Sequence, residues 1–410
     1  MNEFFDDTET RDPEEREREL FVALSNHIQH AKKKSQYFNK LLREVQPQDI
    51  TNRASLAKLP ITRKSDLVNI QSEGTPLGGL NAISINELRR IFQSPGPTYD
   101  AEGNGADWWG TARALFAAGF QKGDIVHNSF SYHFTPAGVM LETGASALGC
   151  PVFPAGVGNS ELQVQAIHNI KPKAYVGTPS FLKILIEKSH QLNKDTSSIK
   201  KACVGGEALP DELRQYFESR GVKCTQIYAS ADLGNIAYES KAREGLIVDE
   251  RLLIEIVRPG TGHPVDEGEV GEVVATLFRP EYPLIRFATG DLSAILPGRS
   301  PCGRTNIRLA GWKGRADQTT KVKGMFVHPA QIAQIVSRHA EIKKARLVVS
   351  ANQGTDTMNL KFESDQTSES LVSEIINSIH AVCKLKGYAE RVDLNSLPND
   401  GKVIDDIRQN

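Results

Sequence analysis

An aspartate that closes an alternating strand at a glycine corner can offer its carboxylate to two adjacent hydroxyls. Asp291 stands in that place. The stretch from Tyr282 alternates apolar and polar residues up to Thr289-Gly290-Asp291, so the carboxylate is expected at a strand end, facing a cleft, as the floor of a nucleotide site. Arg286 on the same stretch is expected to support it, in preference to a mere salt bridge between the two across a hairpin. Farther on, Gly314, Arg315 and Asp317 form a short polar run between two apolar stretches, the composition of a hinge between lobes. This places a boundary between a large domain, residues 1–313, and a small one, residues 314–410, with the hinge near 314–318.

Other clusters carry chemistry of their own. In Val204-Gly205-Gly206-Glu207 two glycines let backbone approach a flat ring closely, with a carboxylate following; the same residues also suit a tight turn needing positive φ. Gln226-Ile227-Tyr228-Ala229-Ser230-Ala231-Asp232 is a strand running either into a site or into a cap at Ser230 or Asp232. Ser131-Tyr132-His133-Phe134-Thr135-Pro136 puts Tyr132, His133 and Phe134 at a strand-to-helix junction, as pocket wall or as ordinary packing. Near the C-terminus, Asn399-Asp400-Gly401-Lys402 sets a lysine on a flexible loop, where it is either solvated or supplies positive charge.

The elements that must position these residues follow from periodicity. Asp12-Pro13-Glu14-Glu15 starts a helix with a cap, a proline in the first turn and acids at the positive end of the dipole. From residue 107 to Tyr228 the pattern alternates helix and strand, predicting strands at 124–128, 151–154, 174–177, 200–204 and 223–228 with helices between them. That is α/β, a doubly wound parallel sheet, and ligands in such sheets bind beyond the carboxyl ends of the strands. After residue 240 the texture becomes β-rich, with strands at 251–257 and 269–277. Beyond Asp317 the order helix 331–338, strands 345–350 and 358–362, helix 368–382 and a last strand near Val392 predicts a small, mobile α+β lid.

Composition excludes several classes. Lysine and arginine number 49 against 50 aspartates and glutamates, a net charge of −1, so no electrostatic footprint exists for nucleic acid or an acidic membrane surface. The five cysteines are scattered, without C-x-x-C pairs or histidines at ligand spacing, and no zinc site is legible. The acidic start is neither a signal nor a transit peptide, and a cytoplasmic location is expected. The 410 residues suffice for two cores.

Taken together, Ile285-Arg286-Phe287-x-x-Gly290-Asp291-Leu292, Gly314-Arg315-x-Asp317 and Lys323-Gly324-x-x-Val327-x-Pro329 resemble the adenylate-forming enzymes, in their phenylacetate-CoA ligase branch. The likeness runs from about residue 35 to the C-terminus. It implies activation of a carboxylic acid by ATP as an acyl-adenylate, then transfer to a thiol of coenzyme A or of a carrier protein. An aromatic acid is the preferred substrate; a downstream reductase is another acceptor, and a homodimer is open. By the same resemblance Asp291 holds the ribose, Gly205, Gly206, Glu207, Tyr228, Ala229 and Ser230 surround the adenine, and Arg315 serves the nucleotide. Asp232 helps hold Mg²⁺, Tyr132, His133 and Phe134 wall the acid pocket, and Lys402 reaches the attacked phosphate, with Asp317 as hinge.

One segment departs from the pattern. Where the family carries a Ser/Thr/Gly loop around the outer phosphates, this chain reads Phe92-Gln93-Ser94-Pro95-Gly96-Pro97-Thr98-Tyr99. Two prolines remove two backbone donors, leaving Ser94, Gly96 and Thr98. The alternative expectation is therefore an impaired relative that binds an acid or nucleotide and acts as a pathway partner.

Overall fold

A computed structural model describes residues 3–72, 74–94, 98–316, 320–323, 325–352, 355–366, 368–398 and 402–408. Its first long helix, Pro13–Lys34, begins where the capping signals placed it: Asp12 accepts the backbone N–H groups of Glu14 and Glu15, and three lysines occupy the last turn. Leu20, Leu24, Ile28 and Ala31 are buried along one face, the 3.6-residue stripe of an amphipathic helix.

Five strands, Val152–Pro154, Val126–Asn128, Ala174–Gly177, Lys201–Val204 and Lys223–Ser230, lie side by side and parallel in that order. Helices Ala137–Ala147, Ser160–Ile170, Pro179–Gln191 and Asp211–Glu218 connect them. This is the α/β sheet that the alternation predicts. Its apolar strands and helix faces meet in a core of Val164, Ile167, Tyr175, Leu182, Leu185 and Phe217. Each large apolar side chain buried there stabilises the fold by about 1.5–3 kcal/mol. Beyond Ser230 the sheet continues antiparallel through Gly234–Glu239, Leu246–Val248 and Arg308–Leu309, part of a nine-stranded sheet among the described residues. A four-stranded sheet holds Thr62–Arg63, Leu284–Ser293, Gly271–Leu277 and Leu252–Val257 in that order, the β-rich texture expected after residue 240.

The acidic opening is not a solvated tail. Glu9 is 1% exposed and is met by Tyr238 Oη at 2.6 Å, Arg304 at 2.9 Å and Arg113 at 3.3 Å. A carboxylate is tolerated at that depth only with such partners. They lie one to three hundred residues away in sequence, which is why the local reading does not reveal them.

By contact density the chain divides into two compact units: residues 1–254, 275–287 and 296–311, and residues 255–274, 288–295 and 312–410. The expected small domain at 314–410 falls within the second, which also takes in 255–274 and 288–295. In that second unit, strands Tyr388–Val392, Thr355–Glu363, Lys344–Asn352 and Ile404–Asp406 form a sheet in this order, with helices Pro329–Val336 and Glu369–Cys383 burying Ile332, Ile335, Leu371, Ile375 and Ile379 in one core. The short strand Ile404–Asp406 is absent from the periodicity reading, because three residues carry no period. It pairs parallel with Leu347–Val349, and Leu347 N donates to Val403 O at 2.9 Å, anchoring the chain beside Lys402. Among the described residues no helix is long and apolar enough to cross a membrane.

Candidate functional site

In the second unit, Asp291 lies two residues before the end of the strand Leu284–Ser293, with its side chain 16% exposed. The chain folds back on itself there: Leu292 N donates to Gly314 O at 2.9 Å, Lys313 N to Leu292 O at 2.8 Å and Ala316 N to Gly290 O at 2.7 Å. That antiparallel clasp brings Arg315 Nη1 to Asp291 Oδ1 at 3.0 Å and Trp312 Nε1 to the same oxygen at 3.2 Å. Gly290 has φ +77°, and a Cβ on it would stand 2.6 Å from the Arg315 guanidinium. Glycine is needed both for the backbone and for the space. Arg315 also lines a cavity of about 320 Å³ with Lys313, Thr320, Lys402, Asp405 and Asp406. Lys402 is half exposed and pairs with Asp405 at 3.0 Å. Three of the expected residues, Asp291, Arg315 and Lys402, thus belong to one neighbourhood; Asp317 lies outside the described residues.

In the first unit, Arg286 is 1% exposed at φ +46° and donates to the carbonyls of Ala57 at 2.8 Å and Leu59 at 2.6 Å. Expected as support for Asp291, it is a buried tie to the 57–59 turn.

Ser94 and Thr98 end the two strands of a hairpin, Arg90–Ser94 with Thr98–Glu102; Gly96 lies outside the described residues. Both hydroxyl residues are buried, at 7% and 4% exposure. Ser94 Oγ donates to Asp100 Oδ2 at 2.5 Å. Burial first, and the neighbouring charge of Asp232 second, push the Asp100 carboxyl up to about 7 from its ordinary 3.8. Asp232, itself almost fully buried, receives Lys64 Nζ at 2.6 Å. The same burial and the two carboxylates push the Tyr282 phenol well up. Gly103, the residue that follows the hairpin, packs against the Trp108 ring, which a Cβ would meet at 2.4 Å.

The Mg²⁺ implied for Asp232 can be weighed against these donors. Among the described residues no three His, Cys, Asp or Glu side chains gather as a metal cage, and the carboxylate oxygen nearest Lys64 already receives an ammonium. The donor set as it stands suits that ammonium and does not fit a metal.

Around the other strand ends, Gly206 takes φ +77°, and a Cβ on Gly205 would press on Ile227 at 2.9 Å. Glu207 is exposed and accepts the Ser180 hydroxyl at 2.9 Å. Tyr228 and Ala229 flank a bulge in the pairing with Gly234–Glu239, a device that re-aims side chains. Ser230 Oγ accepts Leu233 N at 3.2 Å, so Ser230 does cap a turn. Tyr132 Oη accepts Asn128 Nδ2 at 2.9 Å; burial, with Glu142 nearby, raises its phenol pKa. His133 is exposed. Phe134 is 75% exposed at φ +59°, and its carbonyl accepts Gln93 N at 2.9 Å. A strained aromatic held in water is uncommon for packing alone.

Sequence reasoning overlooks Lys64, Asp100 and Trp312. Lys64 reveals itself only through Asp232, 168 positions away, and Asp100 through the hairpin that brings Ser94 to it. Trp312 carried a signal: a large aromatic inside the polar run 311–317.

The model for the family described as AMP-binding enzyme matches residues 107–276. The chain is 30% identical over 392 residues to the phenylacetate-coenzyme A ligase of Thermus thermophilus, across 90% of this chain and 86% of that protein. To the phenylacetate-coenzyme A ligase of Pseudomonas putida it is 32% identical over 313 residues, 73% of this chain and 70% of that one. Among solved structures, an open conformation of 2-hydroxyisobutyryl-CoA ligase with 2-HIB-AMP and CoA matches with a TM-score of 0.74 at 23% identity, over 97% of this chain and 92% of that one. That is a likeness of fold.

Proposed function

Because the chain belongs to the adenylate-forming AMP-binding enzymes, in the phenylacetate-CoA ligase family, we propose that it activates an aromatic carboxylic acid with ATP and passes the acyl group to the thiol of coenzyme A. The observation that carries this reading is the Asp291 carboxylate, oriented near a strand end by Arg315 and Trp312. A carboxylate so held can take both hydroxyls of a ribose.

In the first step a carboxylate oxygen of the acid bonds to the α-phosphorus as the bond to pyrophosphate breaks. Both reactants are anions, so the protein's part is alignment and neutralisation. Lys402 supplies positive charge at the attacked phosphate, and Arg315 serves the nucleotide. Gly205, Gly206, Glu207, Tyr228, Ala229 and Ser230 form the adenine wall; Tyr132, His133 and Phe134 form the acid pocket. In the second step the thiol sulfur bonds to the acyl carbon, releasing AMP and a proton, after rotation about Asp317 withdraws Lys402. Carrier-protein pantetheine or a reductase is the alternative acceptor.

A second reading has a specific observation in its favour. The two surviving hydroxyls of the altered loop, Ser94 and Thr98, are buried, and Ser94 donates inward to Asp100. An impaired relative that binds acid or nucleotide without turnover suits that arrangement.

Acid-dependent ATP–pyrophosphate exchange over aryl, arylacetic and fatty acids separates the two, with thioester formation from coenzyme A as the second readout. Exchange with one aromatic group, reduced at least about 100-fold in Lys402→Ala, is expected. Silence across the panel in folded protein moves the conclusion to the binding role.

A further inference from the structure

Arg408, just past the strand Ile404–Asp406, joins three elements of the second unit. Its guanidinium grips Asp406 with two nitrogens, Nε to Oδ1 at 2.8 Å and Nη2 to Oδ2 at 2.5 Å. It also donates to Asp356 Oδ1 at 2.9 Å, on the strand Thr355–Glu363, and to Thr320 Oγ1 at 3.0 Å, on the strand Thr320–Val322. A guanidinium is a planar fork of donors with fixed directions, and the ammonium of a lysine cannot reproduce such a set. Those hydrogen bonds hold the Asp406 carboxyl well below the usual carboxylate range, so the pair stays ionised at neutral pH.

Two of those partners, Thr320 and Asp406, are walls of the cavity of about 320 Å³ that Lys402 also lines, and Thr320 Oγ1 donates directly to Asp406 Oδ2. Thr320 opens a hairpin, Thr320–Val322 paired with Met325–Val327. Val322 and Val327 are buried in the core beneath it, which fixes one face. The polar ends are fixed by other means: Lys323, at the turn, gives its N–H to Asp356 Oδ2 at 2.8 Å, and Thr320 meets Asp406. Arg408 holds both acceptors. Asp406 in turn closes the strand that begins two residues beyond Lys402. One side chain therefore sets the hairpin against the strand on which the placement of Lys402 depends.

We propose that Arg408 is a positioning residue for the acid-activating step: by locking the hairpin of Thr320 to the strand of Asp406 it fixes the walls of the cavity that Lys402 shares. This deepens the reading of Lys402 as the cation at the attacked phosphate and rests on it. Arg408 touches no reacting atom and acts through Thr320, Asp406 and Lys402.

The test uses the full chain as wild type, Arg408→Ala, Lys402→Ala and the double variant, with acid-dependent ATP–pyrophosphate exchange and amide hydrogen exchange as readouts. In Arg408→Ala, hydrogen exchange over the hairpin should quicken while that of helix Glu369–Cys383 stays as it was. The kcat of pyrophosphate exchange should fall by up to about 100-fold, the scale of a misplaced catalytic group, with KM for ATP unchanged. Millimolar guanidinium should restore part of that rate, and ammonium should not. In the Lys402→Ala background, Arg408→Ala should cost nothing further, because residues that act as one unit are not additive. Arg408→Lys, which keeps the charge and loses the fork, should be slowed too, and carries the test if the alanine variant does not fold. A merely structural role would lower the denaturation midpoint and leave kcat and the guanidinium response alone, which overturns the proposal. So does full kcat in Arg408→Ala when Lys402→Ala is slow, in which case the reading of Lys402 survives without Arg408. Undiminished exchange in Lys402→Ala, or none in the wild type, removes that reading, and the proposal with it.

Discussion

Asp291 and Asp232 are the same residue type near comparable strand ends, and both were expected to face a ligand. They differ in what holds them. Asp291 is held by Arg315 and Trp312, residues 24 and 21 positions away, and keeps 16% of its side chain exposed. Asp232 is held by Lys64, 168 positions away, and keeps 3%. One carboxylate is presented and the other closed. The difference teaches that an acid near a strand end can meet a ligand only if its cationic partner leaves a side open to solvent. The partner's distance in sequence decides whether reading the chain can anticipate it.

Removing the closing partner should produce the largest effect. Lys64→Met leaves the buried Asp232 carboxylate without its ammonium, and breaking a buried pair in this way costs about 3–5 kcal/mol. Lys64 is 29% exposed, so the loss should fall at the lower end of that range. Denaturant midpoints of wild type and variant measure it directly. An unchanged midpoint would mean that Asp232 is no more closed than Asp291, and the contrast between them would collapse.

The division between legible and illegible follows the same line. The parallel strands from Val126 to Ser230 were visible because hydrophobic period and length are local properties, and the structure places them within a residue or two of their expected bounds. The Thr289-Gly290-Asp291 run was visible because glycine and acid sit in one short run, whereas its clasp to Arg315 was not: 314–317 reads as a hinge and Arg286 as the support of Asp291, and the pairing of 290–292 with 313–316 exists only in the folded chain. The hairpin of Arg90–Glu102 was read as a loop alone, since its strands are five residues each and its register depends on pairing. Glu9 in its cradle of Tyr238, Arg113 and Arg304 could not be told from an ordinary acid in a charged tail. Buried polar clusters are assembled by tertiary contact, and nothing in a linear pattern announces them.

A smaller effect sharpens the open side of the comparison. Gly290→Ala asks a side chain to adopt φ +77° and to share space with the Arg315 guanidinium 2.6 Å away. The backbone alone costs about 1–2 kcal/mol, and displacing Arg315 also loosens one of the two donors on Asp291. Stability should fall by that amount while AMP affinity, read by calorimetry, falls with it. Gly314→Ala, at φ +119° but with open space where the Cβ would stand, is the control: strain without displacement of Arg315. If both variants bind AMP equally, the guanidinium's seat over Gly290 is not what orients the carboxylate.

The smallest effect is a slope on the closed side. Asp100 sits near Asp232 and Lys64, with Ser94 donating to it and Tyr282 close by, and its carboxyl is pushed up to about 7 by burial and by the Asp232 charge. In the unfolded chain it titrates near 3.8, so between those two values the folded state holds a proton that the unfolded state has released. Stability is therefore greatest below the lower value and declines as pH rises toward the upper one, by at most about 1.4 kcal/mol per pH unit. Asp100→Asn keeps the shape and an acceptor for Ser94 and has nothing to ionise, so its melting temperature should change less between pH 5 and pH 7.5 than that of the wild type. The variant should be the more stable of the two at the upper pH. Parallel profiles for the two proteins would mean that Asp100 stays charged in the fold, and that the acids beneath the hairpin are open to solvent in the way that Asp291 is.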